Sequence, residues 1–275
     1  MGFKNIGFWL RRAEKKFRTL PPGMPSADDL RLYNKYAEFL RRSQAESGKP
    51  GLLLGCTPLI ADWCRENGLR VAVMDYCEPL ARSLGDRELE IIVDDWLSTS
   101  YAGASFSWAA GDGVVNAVGS GRDSIGLFRQ IHRLLLPGSL IILRNLLRPV
   151  PTPSTHEILE KFAAGEIRNL NALQHQISSS LQPSFMEGIL TRETYRVISE
   201  NRVVPPEQLA SLDYYNLEGA CLCYPTLAEL QALASADFEQ LDMDYGDYEM
   251  SALTPTLVYR VPIRKPSLVA QARER

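Results

Sequence analysis

The sequence predicts an α/β fold, a doubly wound and mostly parallel sheet of seven strands that ends in an antiparallel terminal hairpin. Three observations carry this. Five short apolar runs, Leu52 to Leu54, Val71 to Met74, Ile91 to Val93, Phe106 to Ala110 and Leu140 to Leu143, alternate with helix-compatible segments, the pattern of strands joined by crossover helices. The first run ends at a glycine, Gly55, and the second at an acid, Asp75, twenty residues on. Two further strand-like segments, Phe238 to Tyr245 and Thr256 to Pro262, follow the last helix and read as the hairpin.

Taken in order, residues 1–49 read as a helical arm or lid: two helices broken at Pro21-Pro22-Gly23, the second opening at Ser26-Ala-Asp-Asp29 and carrying Leu30, Leu32, Tyr33, Tyr36 and Leu40 at helical spacing. Residues 50–150 hold the alternating core. Within it Ile125, Phe128, Ile131, His132 and Leu135 recur at three- and four-residue steps up to Pro137-Gly138, a helix that feeds a buried strand. His132 lies on that apolar face and reads as a core or boundary histidine. Pro149 to Pro153 interrupt the alternation, and Ser154 to Glu157 form an N-cap signature before Phe162, Ile167, Leu170, Leu173 and Ile177. Residues 151–215 therefore read as an inserted helical cap on the substrate side. A helix after Thr226 and the hairpin, within 216–275, complete the core.

Composition narrows the function. The chain has 275 residues, 45% hydrophobic and 23% charged, which suffices for a full core. With 30 basic and 33 acidic residues its formal charge is -3, so it has no global attraction for phosphate backbones and no nucleic-acid partner is expected. Five cysteines, Cys56, Cys64, Cys77, Cys221 and Cys223, show neither a CxxC pair nor histidines at zinc spacing. No metal is expected, and the odd count without a secretory signal suits reduced thiols in the cytoplasm. The first ten residues are too short an apolar run to span a bilayer. With Phe3, Ile6 and Leu10 on one side and Arg11, Arg12, Lys15 and Lys16 following, they form either a membrane-surface helix or, as expected here, a helix packed on the protein. No stable membrane insertion is expected.

The Gly55 to Asp75 spacing marks a nucleotide-binding sheet edge, because an acid ending the second strand can accept hydrogen bonds from both hydroxyls of a ribose. A dinucleotide would need further glycines to bring the backbone against its pyrophosphate. Thr57 and Pro58 follow Gly55 instead, which favours an adenosine without a phosphate chain. S-adenosylmethionine fits that description.

In order along the chain stand Leu52 to Pro58 (LLLGCTP), Val73 to Cys77 with Asp75, Val93-Asp-Asp95-Trp96, Ser105 to Asn116 with Asp112 and Gly113, and Leu134 to Ile142 around Pro137-Gly138. This series resembles the class I S-adenosylmethionine-dependent methyltransferases, in particular a bacterial type-11-like branch whose first motif reads LLLG-x-TP. The resemblance covers residues 50–148 and implies a Rossmann-like sheet with cofactor contacts from Gly55, Cys56, Thr57, Asp75, Tyr76, Asp95, Trp96, Asp112 and Gly113. It selects Asp95 over Asp94 as the acid at the adenine and places Trp96 beside the ring. The chain departs from it at Leu53 and Leu59, where the family carries acids, so contact with the methionine ammonium falls to the Gly55 carbonyl or to Asp112.

These readings together imply transfer of a methyl group to a small or medium-sized acceptor, in bacterial and in particular secondary metabolism, with S-adenosylhomocysteine as product. His156 and His175, both in the cap, are the candidate catalytic bases, with solvated surface as the alternative for each. Trp9, Tyr33, Tyr36 and Asn116 are the candidate acceptor-pocket residues. A second class of function is a non-catalytic methyltransferase-fold scaffold that binds a partner, and a third is a nicotinamide oxidoreductase; cofactor binding separates all three. The acceptor, the methylated atom and the oligomeric state stay open, a homodimer included.

Overall fold

The order of strands in the main sheet is β3-β2-β1-β4-β5-β9-β8, with β9 alone running antiparallel to the others, between β5 and β8. The structure is a computed structural model and describes residues 6–14, 20–84 and 89–263. The expected runs become β1 (Gly51–Leu54), β2 (Val71–Asp75), β3 (Glu90–Val93), β4 (Phe106–Asp112) and β5 (Leu135–Arg144), all parallel. Strands β8 (Glu239–Asp244) and β9 (Thr256–Arg260) form the terminal hairpin. Its second strand pairs with β5 and its first lies at the edge. A separate pair, β6 (Ile189–Leu190) with β7 (Cys221–Leu222), lies outside this sheet. Two-residue strands are too short to leave a periodic signature, and the sequence showed none.

Alternating side chains of each strand face opposite sides. Leu52 and Leu54 pack toward helices α6 (Gly121–Leu134) and α11 (Leu227–Ser235), with Leu127, Phe128, Ile131, Leu230 and Phe238. His132 joins this side edge-on to Phe238, ring centroids 5.8 Å apart. Leu53, Val73 and Ile142 pack toward α2 (Arg31–Ser47) and α3 (Pro58–Glu66), with Tyr33, Leu40, Ile60 and Trp63. Helix α2 is thus a layer of the core. The arm expected over 1–49 divides: α2 covers the sheet, while α1 (Ile6–Glu14) packs against α4 (Glu78–Arg82) and the 3-10 segment Ala210–Asn216.

Helix α1 buries Phe8, 1% exposed, among Tyr214, Tyr215 and Leu222, and leaves Ile6 half exposed. The helix therefore packs through Phe8, with Trp9 and Leu10 half-buried beside it, and not through Ile6; Phe3, Lys15 and Lys16 lie outside the described residues. No described helix is long and apolar enough to cross a membrane. Helices α7 (Thr155–Ala163), α8 (Leu170–Leu181), α9 (Thr191–Glu200) and α10 (Pro206–Leu209) occupy the stretch expected as a cap, around a core of Ile158, Leu173, Ile177 and Ile198. The Ser154–Glu157 capping box opens α7, each partner satisfying the other's backbone N–H.

Candidate functional site

A cavity opens at the carboxyl ends of the parallel strands, where open α/β sheets bind ligands. Its empty volume is about 1140 Å³ with the mouth included. Gly55, Cys56, Thr57, Asp75, Tyr76, Asp95, Trp96, Asp112 and Gly113 all line it, as do Trp9, Asn116 and His175. Strand order distributes them across the floor: Asp95 and Trp96 after β3, Asp75 and Tyr76 at the end of β2, Gly55 to Thr57 after β1, and Asp112 and Gly113 at the end of β4.

Gly55 turns the chain with φ +79°, a conformation that costs a residue with a Cβ about 1 kcal/mol. A Cβ there would also meet the Trp96 ring at 3.2 Å and lie 3.9 Å from Asp75 Oδ2. Trp96 is fixed over the turn by its indole N–H, which donates to the Met74 carbonyl at 2.7 Å. The glycine, the indole plane and the Asp75 carboxylate therefore converge on one small volume.

Asp75 is 4% exposed. Its Oδ1 accepts the Cys77 backbone N–H at 2.8 Å, and its Oδ2 lies 3.8 Å from the Cys56 thiol. Burial raises its pKa to about 6 against the partial relief of these two bonds. The same burial pushes up the Cys56 thiol and the Tyr76 phenol, each next to the Asp75 charge. The two neighbouring acids of the third motif differ in placement. Asp94 accepts from Thr99 and from the Ser100 N–H, away from the cavity, whereas Asp95 lines it while capping Leu97 N–H at 3.1 Å and Ser98 at 2.8 Å.

Asp112 is held by a residue that sequence reasoning missed. Arg144, which ends β5, is 1% exposed and pairs with Asp112 and, at 3.5 Å, with Asp29. Its guanidinium also donates to the Pro22 carbonyl at 2.6 Å, to the Met24 carbonyl at 3.2 Å and to the Tyr248 hydroxyl at 3.0 Å. Burial alone would lower its pKa, but Asp112, Tyr248 and Asp29 outweigh that and raise it, so it stays charged. One guanidinium thus ties the end of β4 to the loop whose Gly23 and Met24 form part of the cavity wall. A lone arginine closing the apolar run Leu140 to Leu143 was the available signal.

Other expected residues stand elsewhere. Tyr33 is 1% exposed on the opposite layer, edge-on to Trp63 at 5.3 Å, and Tyr36 donates to Asp242 at 3.3 Å; neither lines the cavity, because α2 faces the sheet. His156 is exposed on α7 with Nε2 3.3 Å from Glu160, also away from it. Asn116 reaches the wall, but its amide donates to the Leu146 and Cys223 carbonyls at 2.8 and 2.7 Å and accepts the Leu146 N–H at 2.9 Å. It fastens strand ends together. Trp9 lines the cavity and donates to the Tyr76 hydroxyl. His175, 5% exposed on α8, faces the cavity beside Tyr224, its Nδ1 2.9 Å from the Tyr224 hydroxyl. Tyr224, in a stretch with no motif, was not legible in the sequence.

No family model matches the chain, and no curated protein does. Several solved structures share its fold. A Rhodobacter sphaeroides protein that carries the description Zn-dependent alcohol dehydrogenase superposes with a TM-score of 0.62 at 15% identity, over 94% of this chain and 98% of that one. The CcbJ methyltransferase of Streptomyces caelestis gives 0.54 at 14% identity, over 95% and 100%. A protein of echinomycin biosynthesis, studied for the conversion of a disulfide bond into a thioacetal group, gives 0.52 at 12%, over 98% of each. The chain has the methyltransferase fold. At these identities the likeness concerns the fold alone, and activity has to be argued from the site. Among the described residues no group of three or more His, Cys, Asp or Glu could hold a metal ion.

Proposed function

We propose that the chain is an S-adenosylmethionine-dependent methyltransferase that serves a small-molecule acceptor. The observation that carries this reading is the charge of the cavity wall. Three carboxylates, Asp75, Asp95 and Asp112, line it, and among the described lining residues there is no lysine or arginine. Ionised carboxylates are hydrogen-bond acceptors only. Such a wall suits a ligand that presents donors and positive charge: ribose hydroxyls, an adenine amino group, an ammonium and a sulfonium. It opposes a pyrophosphate, as does the single glycine of the turn, so a nicotinamide or flavin dinucleotide is disfavoured.

In this reading Asp75 takes the ribose, Asp95 the adenine amino group and Trp96 the face of the ring. Leu53 is fully buried toward α2, and Leu59 packs on the same side, which leaves the ammonium to the Gly55 carbonyl and to Asp112, whose charge Arg144 partly offsets. When bound, S-adenosylmethionine supplies an electrophilic methyl group on a positively charged sulfur. The protein contributes orientation and exclusion of water. Trp9 of α1, the Gly23–Met24 loop and the α8 residue His175 enclose the cavity from above the strand ends.

Titration calorimetry with S-adenosylhomocysteine, with NAD as the comparison, tests this. Saturable one-to-one heat with the first and none with the second is expected. No heat with S-adenosylhomocysteine would sink the proposal and leave the scaffold reading, and heat with NAD alone would restore the oxidoreductase.

A further inference from the structure

We infer that Arg144 is a positioning residue for the amino-acid end of the cofactor, and that this corner, rather than the adenosine end, decides which adenosine compounds the protein holds. The inference rests on the methyltransferase reading above and says where its selectivity resides. Strand order sets the two ends of the ligand apart. Asp75 and Asp95 stand on the β2–β3 side of Gly55, whereas Asp112 and Gly113 end β4 on the other side. With the ribose on Asp75 and the adenine at Asp95, the chain that leaves the ribose through sulfur runs toward β4.

Arg144 fixes what that chain meets there. It is the register partner of Asp112 across β4 and β5, and it holds the end of β4 by backbone and by side chain: its carbonyl accepts the Gly113 N–H at 2.8 Å, and its guanidinium pairs with the Asp112 carboxylate. The same guanidinium donates to the Pro22 and Met24 carbonyls at 2.6 and 3.2 Å, and Gly23 and Met24 form part of the cavity wall. Floor and wall of one corner thus hang on one buried side chain. Tyr248 orients it, accepting from Nε at 3.0 Å while its own hydroxyl donates to Asp29 at 3.1 Å.

The wall is also held from the cap. Asn169, the N-cap of α8, donates to the Pro21 carbonyl, and Asn171 donates to the Leu20 carbonyl at 3.4 Å. Glu249, next to Tyr248, accepts the Arg168 and Asn169 N–H groups at 3.1 and 3.3 Å. The loop before α2 is therefore pinned at residues 20 and 21 by the cap and at 22 and 24 by Arg144. A planar guanidinium can serve carbonyls, a carboxylate and a phenol in different directions at once, which a lysine ammonium on its flexible stem cannot. These partners belong to the end of β4, the loop before α2, Asp29 and Tyr248, so loosening them leaves Asp75 after β2 and Asp95 after β3 in place.

Calorimetric titration with S-adenosylhomocysteine and with 5′-methylthioadenosine, which keeps the adenosine and the sulfur but lacks the amino-acid end, tests the inference. The wild-type protein should bind S-adenosylhomocysteine at least about tenfold more tightly. In Arg144→Lys that preference should fall about tenfold, with 5′-methylthioadenosine changed by less than about threefold. Tyr248→Phe, which keeps the guanidinium and its ion pairs, should lower the preference about threefold, and it carries the test if the lysine variant does not fold. Equal weakening of both compounds in a folded variant would make Arg144 a structural residue only. That result, an unchanged preference in the folded variants, or equal wild-type affinity for the two compounds would overturn the inference. If the wild-type protein binds neither compound, the methyltransferase reading fails instead.

Discussion

Replacing Asp75 by Asn should move stability and cofactor affinity in opposite directions. The carboxylate is 4% exposed and its pKa rises from 3.8 to about 6, chiefly through burial. Each unit corresponds to 1.36 kcal/mol, so the ionised group costs the folded protein about 3 kcal/mol at pH 8. The sign follows from linkage: a folded-state pKa above the unfolded one means that the folded protein binds more protons between about pH 4 and 6, so stability rises on acidification through that window. About 1.4 kcal/mol of the cost is recovered by pH 5. Asn removes the charge and keeps an oxygen for the Cys77 N–H, so Asp75→Asn should stabilise the free protein at pH 8 by up to about 3 kcal/mol and flatten its pH profile between 5 and 8. It also removes the charge-assisted acceptor for ribose, worth about 1.5–3 kcal/mol, so S-adenosylhomocysteine should bind about ten- to a hundredfold more weakly. Denaturant melts at pH 5 and 8 and calorimetric titration measure both. A variant that binds S-adenosylhomocysteine as tightly as the wild type, or that is less stable than it at pH 8, would refute the argument.

Three further outcomes are expected. Gly55→Ala combines φ +79° with a Cβ 3.2 Å from Trp96, and should cost about 1–2 kcal/mol in a denaturant melt and weaken cofactor binding as Trp96 is displaced. Arg144→Met removes the cation that pairs with the buried Asp112 and Asp29 carboxylates, and should destabilise by about 3–5 kcal/mol in a denaturant melt; a loss below about 1 kcal/mol would mean the ion pairs are not what holds this corner together. Deleting residues 1–19 removes Phe8 and Trp9 but spares α2, and should leave a cooperative melt, whereas deleting 1–48 also removes Leu32, Tyr33, Ala37 and Leu40 from the core and should abolish it in circular dichroism.

What could be read from the sequence followed from local patterns. Apolar runs of strand length located the sheet, because the central strands β1, β2 and β4 are buried on both faces and need no partner information to be recognised. Gly55, Asp75 and Asp95 stand at strand ends, and strand ends of one parallel sheet share an edge, so their convergence on one cavity followed from the alternation itself. Side chains whose place depends on distant partners were harder. Tyr33 and Tyr36 have helical spacing, but spacing alone does not say which layer a helix covers, and α2 turned out to face the sheet. Asn116 looked like pocket lining and is consumed by backbone groups on segments that end β5 and follow β7. Arg144 joins residues from four segments, the loop of residues 22–24, Asp29, Asp112 and Tyr248, and no periodicity records such a meeting. Tyr224 owes its position to Gln182, forty-two residues earlier.

A crystal structure of the complex with S-adenosylhomocysteine tests the central claim most directly. The account predicts the ribose hydroxyls on Asp75, the adenine between Asp95 and Trp96, and the sulfur turned toward Asp112 and the chamber that holds Tyr224 and His175. Adenosine bound anywhere else, or a ribose that makes no contact with Asp75, would contradict it.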